Sequence, residues 1–204
     1  MIFYKTKILR SRIHEFGVFA DEAVKRGAVV GIMSLGSELM SEKSYQGGLR
    51  DKDFVCAQTG VRWIHKFFMY DRRIMVEDYI NHSGRPNILY HCGMLLAQKA
   101  IARGDELTCD YRLILAKNDV DAFADSESSE WIDGYDAQTS LIVSSRQLIA
   151  LVKDAGIPQT DREVERLMQR LKSLPNVIEP DSLPHLSESR RPRVTGTKRR
   201  LSCF

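Results

Sequence analysis

The stretch from Asp78 to Tyr111 limits the possible folds more than any other, because two polar segments flank a short apolar core there. The first segment, Asp78-Tyr79-Ile80-Asn81-His82-Ser83-Gly84-Arg85-Pro86-Asn87, reads as a polar loop. Asn81, His82, Ser83 and Asn87 supply side-chain donors and acceptors, and Pro86 stiffens the exit. Ile88-Leu89-Tyr90 and Met94-Leu95-Leu96-Ala97 follow, two apolar runs split at Gly93. Their length and side-chain types favour a buried hairpin, although periodicity alone leaves a helix open. Arg103-Gly104-Asp105 is turn chemistry. Glu106 to Tyr111 then alternates polar and apolar residues, like a strand that ends on a tyrosine.

The rest of the chain sets bounds. Its 204 residues, 43% hydrophobic and 28% charged, suffice for one sizeable core or for one domain with an appendage. No apolar run reaches the roughly 18 residues that a membrane span needs. Met1-Ile2-Phe3-Tyr4-Lys5 lacks the basic-then-apolar layout of a signal peptide. The expected location is therefore cytoplasmic, with a nuclear or secreted-effector destination left open. Cys56, Cys92, Cys109 and Cys203 are scattered, without the close ligand pairs of structural zinc, so no metal is expected. Cys92 and Cys109 read as small core hydrophobes. Residues 185–204 hold six basic side chains and one acid, a net +5 within a chain total of +3, which leaves −2 for the body. Only the tail has the charge to touch nucleic acid, through residues 190–200.

Taken in order, residues 2–35 read as short strands around a Val24-Lys25-Arg26-Gly27 turn. Ser37 to Tyr45 has the start of a helix with little apolar support. Asp53 to Tyr70 concentrates aromatic residues in what reads as a β meander, either core or the wall of a narrow channel. Asn118 to Asp136 is acidic without Lys or Arg, either a solvated loop or a rim for a basic partner, with Phe123, Trp131 and Tyr135 able to pack back over a groove. Ser140 to Lys153, apolar at 141, 142, 148, 149 and 152, predicts an amphipathic helix. A capping box at Thr160–Glu163 opens a second, with Val164, Leu167, Met168, Leu171 and Leu174 on one face. The two predict a hairpin docked on the β domain, and residues 180–204 read as disordered. The expected division is 1–115, 116–137, 138–179 and 180–204.

Asn81-His82-Ser83, Pro86-Asn87 and, some twenty residues on, Gly104-Asp105-Glu106-Leu107-Thr108 with Asp110-Tyr111 together resemble the paired signature of the SET-domain protein lysine methyltransferases. Phe16-Gly17-Val18-Phe19-Ala20 with Val24-Lys25-Arg26-Gly27 resembles the family's opening strand and turn. The resemblance spans Ile8 to Tyr111. It implies a mostly β fold with α additions, a β-clip with a pseudoknot, here extended by the C-terminal helical hairpin. It also implies S-adenosylmethionine as cofactor and a basic protein as substrate. Tyr111 would be the catalytic tyrosine. Glu15, Phe16, Gly17, Tyr79, Asn81 and His82 would bind the cofactor, and Ser34, Tyr70, Tyr79 and Tyr111 would line the lysine channel.

Several positions depart from the family pattern. Glu15 replaces the first glycine of the cofactor loop, and Ser34 stands where a channel tyrosine is common, which leaves Tyr45, Tyr70, Tyr79 and Tyr90 as sources of a second one. Asp78 replaces a frequent arginine and pairs with Arg72, Arg73 or Arg85, or caps a turn. No cysteine follows Tyr111 until Cys203, so something other than the family's zinc segment must close the channel. The chain in this respect resembles stand-alone, bacterial-type members. The alternative reading is a catalytically decayed SET-fold module that binds a protein or nucleic acid through its helices and basic tail.

Overall fold

The computed structural model describes residues 1–33, 38–51, 54–119, 122–125, 128–156 and 169, with backbone alone over 54–56. β1 (Thr6–Arg10) and β2 (Phe16–Ala20) form an antiparallel ribbon, and β3 (Val29–Ile32) follows the Val24–Gly27 turn. β4 (Glu38–Ser41) runs directly into α1 (Glu42–Arg50), and α2 (Phe54–Thr59) precedes the hairpin of β5 (Val61–Ile64) and β6 (Phe67–Tyr70). A 3-10 turn over Val76–Tyr79 leads to β7 (Asn81–His82). Next come β8 (Ile88–His91), β9 (Met94–Ala97), β10 (Thr108–Cys109) and a 3-10 turn at Tyr111–Leu113. β11 (Phe123–Ala124), β12 (Trp131–Ile132) and α3 (Ala137–Ala155) complete the described chain.

These strands form small sheets, in the orders β3-β9-β8 and β4-β6-β5 and the pairs β1-β2, β7-β10 and β11-β12. The β8–β9 hairpin turns through Cys92 and Gly93, both left-handed (φ 49° and 87°), the geometry whose twist matches the strands it joins. Ile88, Leu89 and Leu95 are fully buried, because the hairpin is apolar on both faces and covered on both. Each such side chain stabilises the fold by about 2 kcal/mol. They centre the main core with Val18, Val30, Ile101, Leu107 and Leu113, and a smaller cluster gathers Tyr45, Leu49, Phe68 and Ala116.

The fold is mostly β with helices added, as expected, but several local expectations need correction. The Ser37–Tyr45 helix begins later, at Glu42. Ser41 caps it, its Oγ accepting from Ser44 N, and β4 occupies the preceding residues. The Asp53–Tyr70 meander loses its first part to α2 and borrows β4 instead. Its aromatics divide by strand alternation: Phe68 is fully buried and stacked on Tyr45 at 4.2 Å, while Trp63 and Phe67 are exposed. The strand expected over Glu106–Tyr111 is confined to Thr108–Cys109, and Leu107, Thr108, Cys109 and Asp110 are all buried. α3 docks through Ala137, Ser140, Ser144 and Leu151, whereas Ile142, Ile149 and Val152 of the expected apolar face point outward. Ser140 Oγ donates to Leu113 O (3.0 Å) and His91 Nδ1 meets Ser144 Oγ (3.0 Å), tying the helix to the β core. The Thr160–Pro175 helix and the 180–204 tail lie outside the described residues.

Candidate active site

The two polar segments that frame the central hairpin lie side by side. β7 and β10 pair in parallel, Asn81 opposite Thr108 and His82 opposite Cys109, and Ser83 N extends the ladder to Cys109 O at 3.1 Å. Asn87 locks the far end: its Nδ2 donates to Glu106 O (2.8 Å) and its Oδ1 accepts from Thr108 N (2.9 Å). His82 locks the near end, its Nδ1 accepting from Tyr111 N at 3.1 Å, which places the proton of the neutral ring on Nε2. So Asn81, His82 and Asn87 occur together for a reason: His82 and Asn87 satisfy backbone groups that so short a parallel pair leaves open, and Asn81 ties the pair to Phe16 O.

Beneath this pair, Glu106 is the hub. Its carboxylate accepts from Asn81 Nδ2 (2.7 Å) and from Ser11 Oγ (2.8 Å), and Asn81 Nδ2 also donates to Phe16 O (2.9 Å). Gly17 has a structural role here as well. A Cβ there would sit 2.1 Å from Glu106 Oε1 and 3.0 Å from Asn81 Nδ2, so the missing side chain makes room for the Glu106 carboxylate. Glu15 takes the place of a glycine in conformation as well as position, with φ at 23°, and its carbonyl accepts from Ser11 N (3.1 Å) to close the loop around Glu106.

The tyrosines separate by environment. Tyr111 is half-buried, and its hydroxyl donates to Ile80 O at 2.7 Å. Tyr79 is half-buried on the preceding turn, its phenol pushed up in pKa first by burial and then by the neighbouring Asp78. Tyr70 ends β6 opposite Glu38, and Ser34 lies outside the described residues. Two of the alternative channel tyrosines are taken up in the core. Tyr45 stacks on Phe68, and the buried Tyr90 hydroxyl donates to Arg62 O. The Cys109 thiol is pushed far up in pKa by burial, so it is an inert core group.

The acidic segment after Tyr111 brings an aromatic residue to the site. Phe123 meets the His82 ring edge-on at 5.6 Å and the Tyr111 ring at 5.9 Å, while His82 and Tyr111 meet at 5.5 Å. Of the acids that sequence left open between solvated loop and rim, three are taken up in local hydrogen bonds. Asp119 Oδ2 accepts from Ala116 N, Asp125 Oδ2 from Ser128 N, and the Asp133 carboxylate from Asn118 N and Asp119 N. They fold the segment locally, and Asp119 and Asp125 are buried in the process. Gly134 seats the segment on the core, since a Cβ there would fall 2.3 Å from the carbonyl oxygens of Leu115 and Ala116. Trp131 is exposed, and Tyr135 lies 5.7 Å beneath the Arg112 guanidinium. The signal for Phe123 was present in its sequence neighbours, but nothing in them chose Phe123 over Trp131.

A family model for the SET domain matches residues 15–112, the same interval that holds the Gly17 loop, both polar segments and Tyr111. Over this interval the chain carries a SET domain, a family that in general transfers methyl groups from S-adenosylmethionine to protein lysines. A search of curated proteins returned no match.

Proposed function

We propose that this protein methylates a lysine side chain of a basic protein, with S-adenosylmethionine as methyl donor. One observation carries the reading: Tyr111 is fixed at both ends, its backbone N–H on His82 and its hydroxyl on Ile80 O, inside a cluster of three aromatic rings. A hydroxyl that donates to a carbonyl meets any further partner as an acceptor, which suits it to orient the N–H of an approaching amine. Methyl transfer to nitrogen is an in-line displacement, so its barrier falls through alignment and exclusion of water rather than through a protein nucleophile.

The residues present fit the cofactor. Carbonyls of His14 and Phe16 with the Glu106 carboxylate make an acceptor-rich arc around Asn81, suited to an ammonium group. His82, Tyr111 and Phe123 offer ring surfaces that attract a cationic centre. When bound, the cofactor would supply the electrophilic methyl group. Glu15, Phe16, Gly17, Tyr79, Asn81 and His82 would hold it, and Tyr70, Tyr79 and Tyr111 would guide the lysine. We read the stitching of residues 81–87 to 106–111 as the family's pseudoknot. The β11–β12 segment, which brings Phe123 to Tyr111, takes the place of a zinc segment in closing the site.

Titration calorimetry with S-adenosylmethionine, on the wild type and on His82→Ala, tests the site. Micromolar binding that weakens in the variant is expected, and transfer of labelled methyl groups to basic proteins should fall at least about a hundredfold in Tyr111→Phe. Full transfer by Tyr111→Phe would sink the assignment.

A further inference from the structure

The Tyr111 hydroxyl donates to the Ile80 carbonyl, and that carbonyl follows a four-residue 3-10 turn. Such turns are weak by themselves. Asp78 closes this one: its Oδ2 accepts from Met75 N at 2.7 Å, and its own backbone N–H donates to Met75 O (3.2 Å). Ile80 N then donates to Glu77 O (3.1 Å), and Gln58 Nε2 of α2 donates to Asp78 O (3.1 Å). Met75, Glu77 and Ile80 around it are buried. The other carboxyl oxygen, Oδ1, is cut off from solvent and has no hydrogen-bond partner among the described residues.

We infer that Asp78 is a positioning residue for the Tyr111 hydroxyl, acting through the Met75–Ile80 turn, and that it holds this turn as a neutral acid. The inference rests on the role given to Tyr111 above. A buried oxygen without a donor suits a protonated carboxyl, in which Oδ2 still accepts from Met75 N while Oδ1 carries the proton. The charged groups around it favour the same form. Burial pushes the Asp78 carboxyl well above the ordinary range, and Glu77 and Asp71 push it further, while the Met75 N–H and the Met1 ammonium pull the other way. Tyr79, beside it, is neutral until its own raised pKa. Arg72 pairs with Glu38 and Arg73 with Asp71, while Asp78 caps a turn. The sign follows. A carboxyl raised on folding supports the turn fully while neutral, and that support fades as pH climbs from the ordinary carboxylate value through the raised one.

The test follows Tyr111 directly, by nuclear magnetic resonance of protein isotope-labelled at tyrosine Cζ, with the Tyr111 signal assigned by Tyr111→Phe. Asp78→Ala is expected to move that signal and lower kcat about tenfold, leaving KM for the methyl donor within about twofold. Asp78→Asn, which keeps the acceptor and cannot ionise, is expected to retain both. In the wild type the signal moves as pH rises above the ordinary carboxylate range, and in Asp78→Asn it stays flat. A Tyr111 signal unmoved in Asp78→Ala would overturn the inference. So would a wild-type signal that ignores pH, a result that stands even where the alanine variant does not fold. Absence of methyl transfer by the wild type would strike the enzymatic reading instead, and the resonance would still report on Asp78.

Discussion

The paired segments at 81–87 and 106–111 and the acidic segment at 116–136 are both rich in polar side chains, yet those side chains work at different ranges. In the first, Asn81, His82 and Asn87 satisfy groups 19 to 67 residues away: Asn87 reaches Glu106, and Asn81 reaches His14. In the second, Asp119, Asp125 and Asp136 bond backbone groups within three residues, and Asp133 reaches back 15 at most. Long-range stitching makes a residue irreplaceable, because removing it strands buried partners on another element. Local capping makes each acid replaceable by another that caps, and among the described residues of the segment Phe123 is the side chain whose ring meets His82 and Tyr111.

Gly17→Ala should break the contrast hardest. The new Cβ would displace the Glu106 carboxylate, and with it the bonds from Asn81 and Ser11. A loss of about 3 kcal/mol is expected in urea unfolding, together with loss of cofactor binding. A variant with the wild-type midpoint would show that Glu106 swings aside freely, and the long-range network would then be softer than its geometry.

Phe123→Ala sharpens the other side. Two edge-on ring contacts are lost from a half-buried side chain, a cost of roughly 2 kcal/mol at most. The transfer rate is expected to drop about tenfold as the Tyr111 ring loses its wall. Phe123→Leu, which keeps apolar area without a ring, should fall between. Wild-type kinetics in both variants would leave the acidic segment a mere cover, and the site would be complete without it.

These differences explain what could be read in advance. Asn81, His82, Asn87 and Tyr111 were legible because long-range stitching demands fixed residue types at fixed spacing, and a pattern of that kind survives in the sequence. The β8–β9 hairpin was legible from the length and side-chain types of its two runs, not from their periodicity. The packing role of Gly17 could not be read, since no local pattern tells a glycine that admits a ligand from one that admits Glu106, which lies 89 positions away in the sequence. The helix at Phe54–Thr59 was hidden because its aromatic and β-branched residues favour strands. The α3 face was misjudged for a related cause: Ser140 and Ser144 face the core and bond Leu113 O and His91 there, so hydrophobicity pointed to the wrong stripe. The acids of 116–136 look in sequence like any solvated loop, because capping depends on backbone direction.

The smallest expected effect tests local capping by itself. Asp136 starts α3, its carboxylate accepting from Gln138 N (3.1 Å), Thr139 N (3.0 Å) and Thr139 Oγ1 (2.7 Å). The Thr139 side-chain bond foremost, then the backbone bonds, hold its carboxyl below the ordinary carboxylate value. A carboxyl depressed on folding lends stability that is present above its unfolded pKa and lost as pH falls through the folded one. In Asp136→Asn the cap remains but the titration is gone. Thermal melts of both proteins between about pH 2 and about pH 6 should therefore run nearly parallel at the upper end and converge as the solution is acidified. Melts that stay a constant distance apart across that range would mean the charge of Asp136 contributes nothing, and that neutral hydrogen bonds alone anchor the helix that docks behind Tyr111.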